Sequence, residues 1–277
     1  MADPASEMPL SLPIVQQKGG VGKTTVTMNL AHALGKRGAR VLVADVDPQQ
    51  TSTTGMLGLR MHEEFGGTAE VLGFNASKIE PGEAARPLIQ RSAAYGCDVL
   101  PSSYERLTAQ ENALLTNPTL MVRLVQLVEQ LAGSYDFILF DCPPNLKSLT
   151  TAALYSADYV LVVLEAAEES LEGMSTLLRM ISSAQKLVGR DFPLAGAVLT
   201  KYSAQQRWSR DIADVLRRSG SYPWIQNIGA SQKFKDAFSE RKPFADVAKS
   251  PAERRCAKDF DELADRILQL RAGSAAA

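Results

Sequence analysis

The stretch Gln17-Lys18-Gly19-Gly20-Val21-Gly22-Lys23-Thr24-Thr25 constrains this chain more than any other. It stands between an apolar pair, Ile14-Val15, and a helix-like run over 24–36 that Gly38 closes. A glycine-rich turn at such a junction lets successive backbone N–H groups converge on an anion, and the helix N-terminus adds partial positive charge. The Gly-Lys-Thr ending narrows that anion to a phosphate chain carrying a metal ion. Lys23 is placed to reach the β- and γ-phosphates, the Thr24 hydroxyl to ligate Mg²⁺, and Thr25 to bond the α-phosphate, while Gly19, Gly20, Val21 and Gly22 line the cradle. A glycine-rich turn without chemistry has no use for that lysine and threonine directly after a strand.

The remaining apolar pattern predicts what surrounds the loop. Short β-branched runs at 41–44, 98–100, 137–140, 159–164 and 195–199 lack alternation, as parallel strands covered on both faces do. Helical patterns at 120–131 and 171–188 separate them. Strands alternating with helices imply right-handed βαβ units, hence an α/β fold with a doubly wound, mostly parallel sheet and helices on both faces. With 277 residues, 45% of them hydrophobic, and no internal repeat or low-complexity linker, one domain over 1–277 is expected, with flexible ends at 1–11 and 272–277.

Two further acidic elements belong at strand ends. Asp45 and Asp47 follow the run at 41–44 in Asp45-Val46-Asp47-Pro48-Gln49, and strand alternation turns both toward the carboxyl-end pocket. The competing reading is that they cap a helix starting near Gln49. Phe137-Ile138-Leu139-Phe140-Asp141 is a Walker B pattern, so Asp141 is expected to hold Mg²⁺ or its bound water. Cys142 beside it reads as a packed thiol, and His32 and His62 as structural or solvent-exposed.

The loop departs from G-x-x-x-x-G-K-[ST] at Gln17, and it carries a second lysine, Lys18. One loop closed around its own phosphates has little need of two ammonium groups, so the second is expected to act across a dimer interface. The run Lys-Gly-Gly-Val-Gly-Lys-Thr-Thr resembles the deviant Walker A box of the ParA/MinD family of dimerising ATPases. The resemblance spans about 12–270 and implies a P-loop ATPase using ATP and Mg²⁺ with slow intrinsic turnover. It implies that Lys18 acts across the homodimer beside Lys23, that Asp47 orients the attacking water, and that Asp45 supports the metal. Cys142-Pro143-Pro144 resembles the family's γ-phosphate switch, although Asn145 and Lys147 replace small residues there. Leu171-Glu172-Gly173 and Lys242-Pro243 resemble two more family elements, and Tyr222-Pro223 falls where the adenine-contacting loop is expected, which points to Pro223.

Charge is divided unevenly. Residues 1–200 hold 15 Lys+Arg against 21 Asp+Glu, whereas 201–277 hold 15 against 10. Arg207, Arg210, Arg217 and Arg218 lie on a predicted helix over 206–218, and Lys233 and Lys235 follow. Positions 207, 210, 214 and 217 share a face. With no zinc motif or separate helix-turn-helix, these cations fit sequence-independent, salt-sensitive DNA binding; a merely solvated surface is the plainer alternative. The resemblance implies ATP-bound dimers coating DNA and a ParB-like adaptor that accelerates hydrolysis.

That makes a plasmid or chromosome partition ATPase the leading reading, in the cytoplasm and associated with the nucleoid. A relative that positions a non-DNA cargo on the nucleoid is the alternative. A MinD-like membrane ATPase is disfavoured, because the helix predicted over 259–270 carries Phe260, Leu263, Ile267 and Leu270 on one face, yet its acids outnumber its single Arg266. No apolar run nears the ~20 residues of a membrane span, and the first residues lack a signal-peptide pattern, so no membrane partner is expected. A nitrogenase-type iron protein would need cluster-ligating cysteines, and Cys97, Cys142 and Cys256 show no such spacing.

Overall fold

The computed structural model describes residues 8–49, 53–59, 66–75, 78–145, 147–189 and 191–274; His62 lies outside them. Among the described residues, one eight-stranded sheet runs in the order β3-β4-β2-β5-β1-β6-β7-β8. Its strands are β1 (Leu10–Val15), β2 (Val41–Asp45), β3 (Gln90–Ser92), β4 (Cys97–Leu100), β5 (Phe137–Asp141), β6 (Val160–Glu165), β7 (Leu194–Tyr202) and β8 (Ile225–Gly229). Only β3 is antiparallel to its neighbour. The strands predicted as unalternating apolar runs are the central ones, where helices cover both faces.

Alternate residues of each strand feed two separate cores. Val41, Val43, Phe137 and Leu139 face one layer, and Leu42, Ala44, Ile138 and Phe140 face the other. The first layer is built on α1 (Lys23–Gly35), with α2 (Thr53–Leu57), α10 (Lys233–Glu240), α11 (Phe244–Val247) and α12 (Pro251–Ser274). The second holds α3 (Thr68–Val71), α4 (Pro81–Ala85), α5 (Tyr104–Thr116), α6 (Arg123–Gln130), α7 (Ser148–Tyr155), α8 (Glu169–Val188) and α9 (Arg207–Arg218). Phe260, Leu263 and Ile267 of α12 are buried, and that helix packs along α1. The apolar face read from the sequence is therefore a core face, as expected.

Four expectations need correction. The N-terminal flexible end stops short of residue 11, because Leu10 and Ser11 pair with Phe137 and Ile138 inside β1. At the other terminus α12 continues through Ser274, past the expected fraying point at 272. Its start at Pro251 precedes the predicted 259, and a reciprocal cap explains this: Ser250 N–H donates to Glu253 Oε2 (2.8 Å) and Glu253 N–H to Ser250 Oγ (3.2 Å). The run over 120–131 is divided, with a 3₁₀ turn over Pro118–Val122 leading into α6.

The order places β1 between β5 and β6, with β2 beyond β5. Chain direction in the sheet reverses its progress at β1, so the helices leave a crevice over the carboxyl ends of β1, β2 and β5. The glycine-rich loop and all three predicted carboxylates emerge there.

Candidate nucleotide site

The loop after β1 is shaped by two glycines with left-handed backbone, Gly20 (φ 73°) and Gly22 (φ 95°). A side chain at either would strain that geometry. Gly22 is the N-cap of α1, so the first N–H groups of the helix open toward the loop's concavity. Thr200, near the end of β7, clamps the loop from beneath: its Oγ1 donates to Val21 O (2.6 Å), with Leu164 O at 3.1 Å. This tether is invisible in the sequence, because it joins residues 179 apart.

A cavity of about 240 Å³ is lined by Gly19, Gly20, Gly22, Lys23, Thr24, Thr25, Asp47, Gln49 and Pro144. It brings together the loop, Asp47 just after β2 and Pro144 after β5. Lys23 is only 6% exposed, and burial lowers its ammonium pKa while Asp141 and Asp47 pull the other way. Burial pushes Asp47 up to about 7, although Gln49 N–H donates to its Oδ1 (2.9 Å). A carboxyl balanced near neutrality and facing a phosphate-sized cavity is suited to ordering a water for in-line attack. Lys18 sits on the exposed outer part of the loop.

Asp141 ends β5 and is fully buried. Its Oδ2 accepts the Thr24 hydroxyl (2.8 Å), an arrangement that leaves the threonine oxygen's lone pairs for a metal ion. Its Oδ1 is buried without a hydrogen-bond partner among the described residues, a chemistry that fits a cation or its bound water. Burial raises the Asp141 pKa, opposed by Thr53, Thr24 and Lys23. Thr24 and Asp141 thus fit Mg²⁺. Both oxygens of Asp45 are engaged by the chain itself. Its Oδ1 accepts Asp47 N–H (3.1 Å), and its Oδ2 accepts both Thr54 N–H (2.8 Å) and Thr54 Oγ1–H (2.5 Å). Asp45 braces the segment that carries Asp47.

Beside the phosphate cavity opens a larger one of about 470 Å³, lined by Gly20, Thr25, Val26, Ile228 to Gln232, Phe234, Lys235 and Phe260, among others. Its apolar walls, backbone groups and shared P-loop residues suit a nucleobase and sugar. Pro223 is not among them. It precedes the amino end of β8, whereas the cavity surrounds the carboxyl end of that strand, about 17 Å along it. Pro223, which the resemblance points to as an adenine contact, therefore lies outside this cavity's lining, and β8, with Gln226 and Asn227 in its middle, carries no strand signature. Lys235, predicted to touch DNA, also belongs to this cavity's lining.

The other predicted cations are spread over α9 and α10. Arg207, Arg210, Arg217 and Arg218 are all exposed. Arg207 approaches Asp211 at 3.6 Å, Arg217 pairs with Asp214 at 2.9 Å, and Arg210 donates to Ala204 O. Lys233 pairs with Asp236 at 2.6 Å. All three cysteines are buried free thiols, and no metal-type cluster of His, Cys, Asp and Glu occurs among the described residues.

Residues 11–193 match the family described as AAA domain. The chain is 32% identical over 205 residues to the sporulation initiation inhibitor protein Soj of Bacillus subtilis, covering 74% of this chain and 78% of Soj. It is 33% identical over 235 residues to the chromosome partitioning protein ParA of Caulobacter vibrioides, covering 84% and 85%. This chain belongs to the ParA family of P-loop ATPases. Among solved structures, cobyrinic acid a,c-diamide synthase from Mycobacterium smegmatis with bound ADP and magnesium superposes with a TM-score of 0.75 at 29% identity, covering 95% of each chain. A ParA-family ATPase uses ATP and Mg²⁺, and the paired cavities with the Thr24–Asp141 contact accommodate both. No helix among the described residues is long and apolar enough to cross a membrane.

Proposed function

We propose that this ParA-family ATPase partitions DNA, plasmid or chromosomal, by a nucleotide-timed cycle. The observation that carries the reading is the phosphate cavity itself, in which Lys23, Thr24 and a near-neutral Asp47 converge while Lys18 stands on the outer lip. In the cycle, two copies close face to face around two ATP molecules, and each Lys18 reaches the partner's phosphates. Thr24 and Asp141 would hold Mg²⁺, which when bound would supply charge neutralisation for the phosphate chain. The loop N–H groups and Lys23 hold the phosphate chain in line, and Asp47 orients the water that attacks the γ-phosphorus and displaces ADP. The closed dimer binds duplex DNA through exposed cations, chiefly Arg207, Arg210, Arg217 and Arg218 with Lys233, and a ParB-like adaptor speeds the hydrolysis that releases it. Such a protein resides in the cytoplasm on the nucleoid.

The test is retention on a long non-specific duplex with ATP, ADP or a slowly hydrolysed ATP analogue, across a salt series. Retention is expected with ATP and the analogue only, with log affinity falling linearly against log salt. Arg-to-Glu changes at 207, 210 and 217 are expected to abolish retention and spare the ATP dimer, whereas Lys18→Ala is expected to leave nucleotide-bound monomers. Equal retention with ADP, or none at any salt, overturns the DNA role.

A further inference from the structure

The metal-facing carboxylate has a second hydroxyl on it that the nucleotide chemistry does not call for. Thr53, the first residue of α2 and fully buried, donates its Oγ1–H to Asp141 Oδ2 at 2.8 Å. Thr24, in the first turn of α1, donates to the same oxygen at the same distance. A carboxylate oxygen offers two in-plane lone pairs, so two hydroxyls saturate Oδ2 and leave Oδ1 as the open acceptor. Oδ1 is buried without a hydrogen-bond partner among the described residues. The next residue, Thr54, grips Asp45 Oδ2 with both its N–H and its hydroxyl, and its Oγ1 accepts Ser102 N–H (2.7 Å). Consecutive threonines therefore bind the ends of neighbouring strands, Thr53 that of β5 and Thr54 that of β2. Thr68 Oγ1 adds a bond to Asp45 O (2.6 Å), and Ser102 Oγ one to Asp47 O (3.1 Å).

We infer that Thr53 is a positioning residue for magnesium: its hydroxyl fixes the rotation of the Asp141 carboxylate so that Oδ1, and not Oδ2, is presented to the metal. The inference rests on the ATP–Mg²⁺ reading of the site and adds a residue to it. Thr53 touches neither phosphate nor metal and acts through Asp141. Because α2 follows Asp47 closely in the chain, the same hydroxyl ties the metal carboxylate to the segment carrying the water-orienting acid. Metal ligands lacking such an outer partner lose roughly 10- to 100-fold in metal affinity.

The experiment titrates free Mg²⁺ against the protein carrying a fluorescent ADP analogue and reads the half-saturating concentration, with analogue affinity in EDTA and melting temperature measured alongside. Thr53→Ser keeps the hydroxyl and is expected to follow the parent; Thr53→Ala removes it and is expected to need about tenfold more Mg²⁺. Analogue affinity in EDTA should be equal in all three proteins. Ser and Ala variants shifted alike would assign the effect to the lost methyl group and overturn the inference, as would an unshifted Ala variant. An Ala variant whose Mg²⁺ response falls only in step with a lowered melting temperature in EDTA also counts against it. Failure of the parent protein to bind the analogue at all would instead strike the nucleotide reading.

Discussion

The phosphate crevice and the arginine helix α9 hold comparable numbers of charged groups and treat them in opposite ways. In the crevice, Lys23, Asp45, Asp47 and Asp141 are nearly or wholly buried, and each carboxylate has its donors assigned by backbone or threonine. On α9, Arg207 is 88% exposed and its partner Asp211 63%, so water competes for every contact. Desolvated groups interact strongly and in one geometry, whereas solvated ion pairs contribute little and can be exchanged for a ligand's phosphates. The crevice is built to hold one arrangement; the helix is built to give its arrangements up. That contrast is what a protein needs if it is to time a reaction at one end and grip a polyanion loosely at another.

The sharpest way to break the comparison is at Lys23. Lys23→Ala leaves Asp141 and Asp47 without their buried cation and removes the phosphate contact, so nucleotide affinity is expected to fall about a hundredfold in equilibrium fluorescence titration. A loss as small as that from a surface arginine would erase the distinction.

Asp47 comes next. Its folded pKa of about 7 lies well above the ordinary carboxylate value, so between about pH 4 and 7 the folded chain keeps a proton that the unfolded chain has released. Stability without nucleotide is therefore expected to fall as pH rises through that window. Asp47→Asn, always neutral, is expected to flatten the dependence of melting temperature on pH and to lower ATP turnover by roughly 10²-fold while nucleotide still binds. An unchanged pH slope would mean the site is wetter than its burial indicates.

A smaller effect separates the two candidate base sites. Ala230→Trp fills the cavity beside the loop and is expected to weaken ADP binding about tenfold by calorimetry, while Pro223→Ala leaves it unchanged. Smallest of all, Arg217→Ala breaks an exposed i,i+3 pair and is expected to move unfolding free energy by no more than ~0.5 kcal/mol in urea titration. A larger cost would show that α9 is a structural helix first.

How much of this was legible beforehand depended on whether the information was local. Gly-Lys-Thr after a strand, and an acid ending four apolar residues, are contiguous signals whose geometry follows from strand and helix periods, so the loop and Asp141 arrive where the pattern puts them. The bracing bonds of Asp45 are not legible in the sequence, because Thr54 is contributed by a separate helix and alternation alone cannot assign a carboxylate its donors. The separation of Pro223 from the cavity beside the loop is not legible, because β8 is a polar edge strand whose interior residues, Gln226 and Asn227, do not announce a strand. Thr53 and Thr200 gave no signal, since a lone threonine is informative only once its acceptor is known.

By itself, then, the sequence determined the doubly wound sheet, the phosphate-binding loop and the acids at two strand ends, because periodicity and a nine-residue motif act over short distances. Only the tertiary structure decided which oxygen of Asp141 stays open, which acid braces and which faces the phosphates, and where the base can lie. Those outcomes depend on contacts between residues such as Thr24 and Asp141, 117 positions apart, and hydrogen bonding across that separation exists only after the sheet has brought the strand ends together.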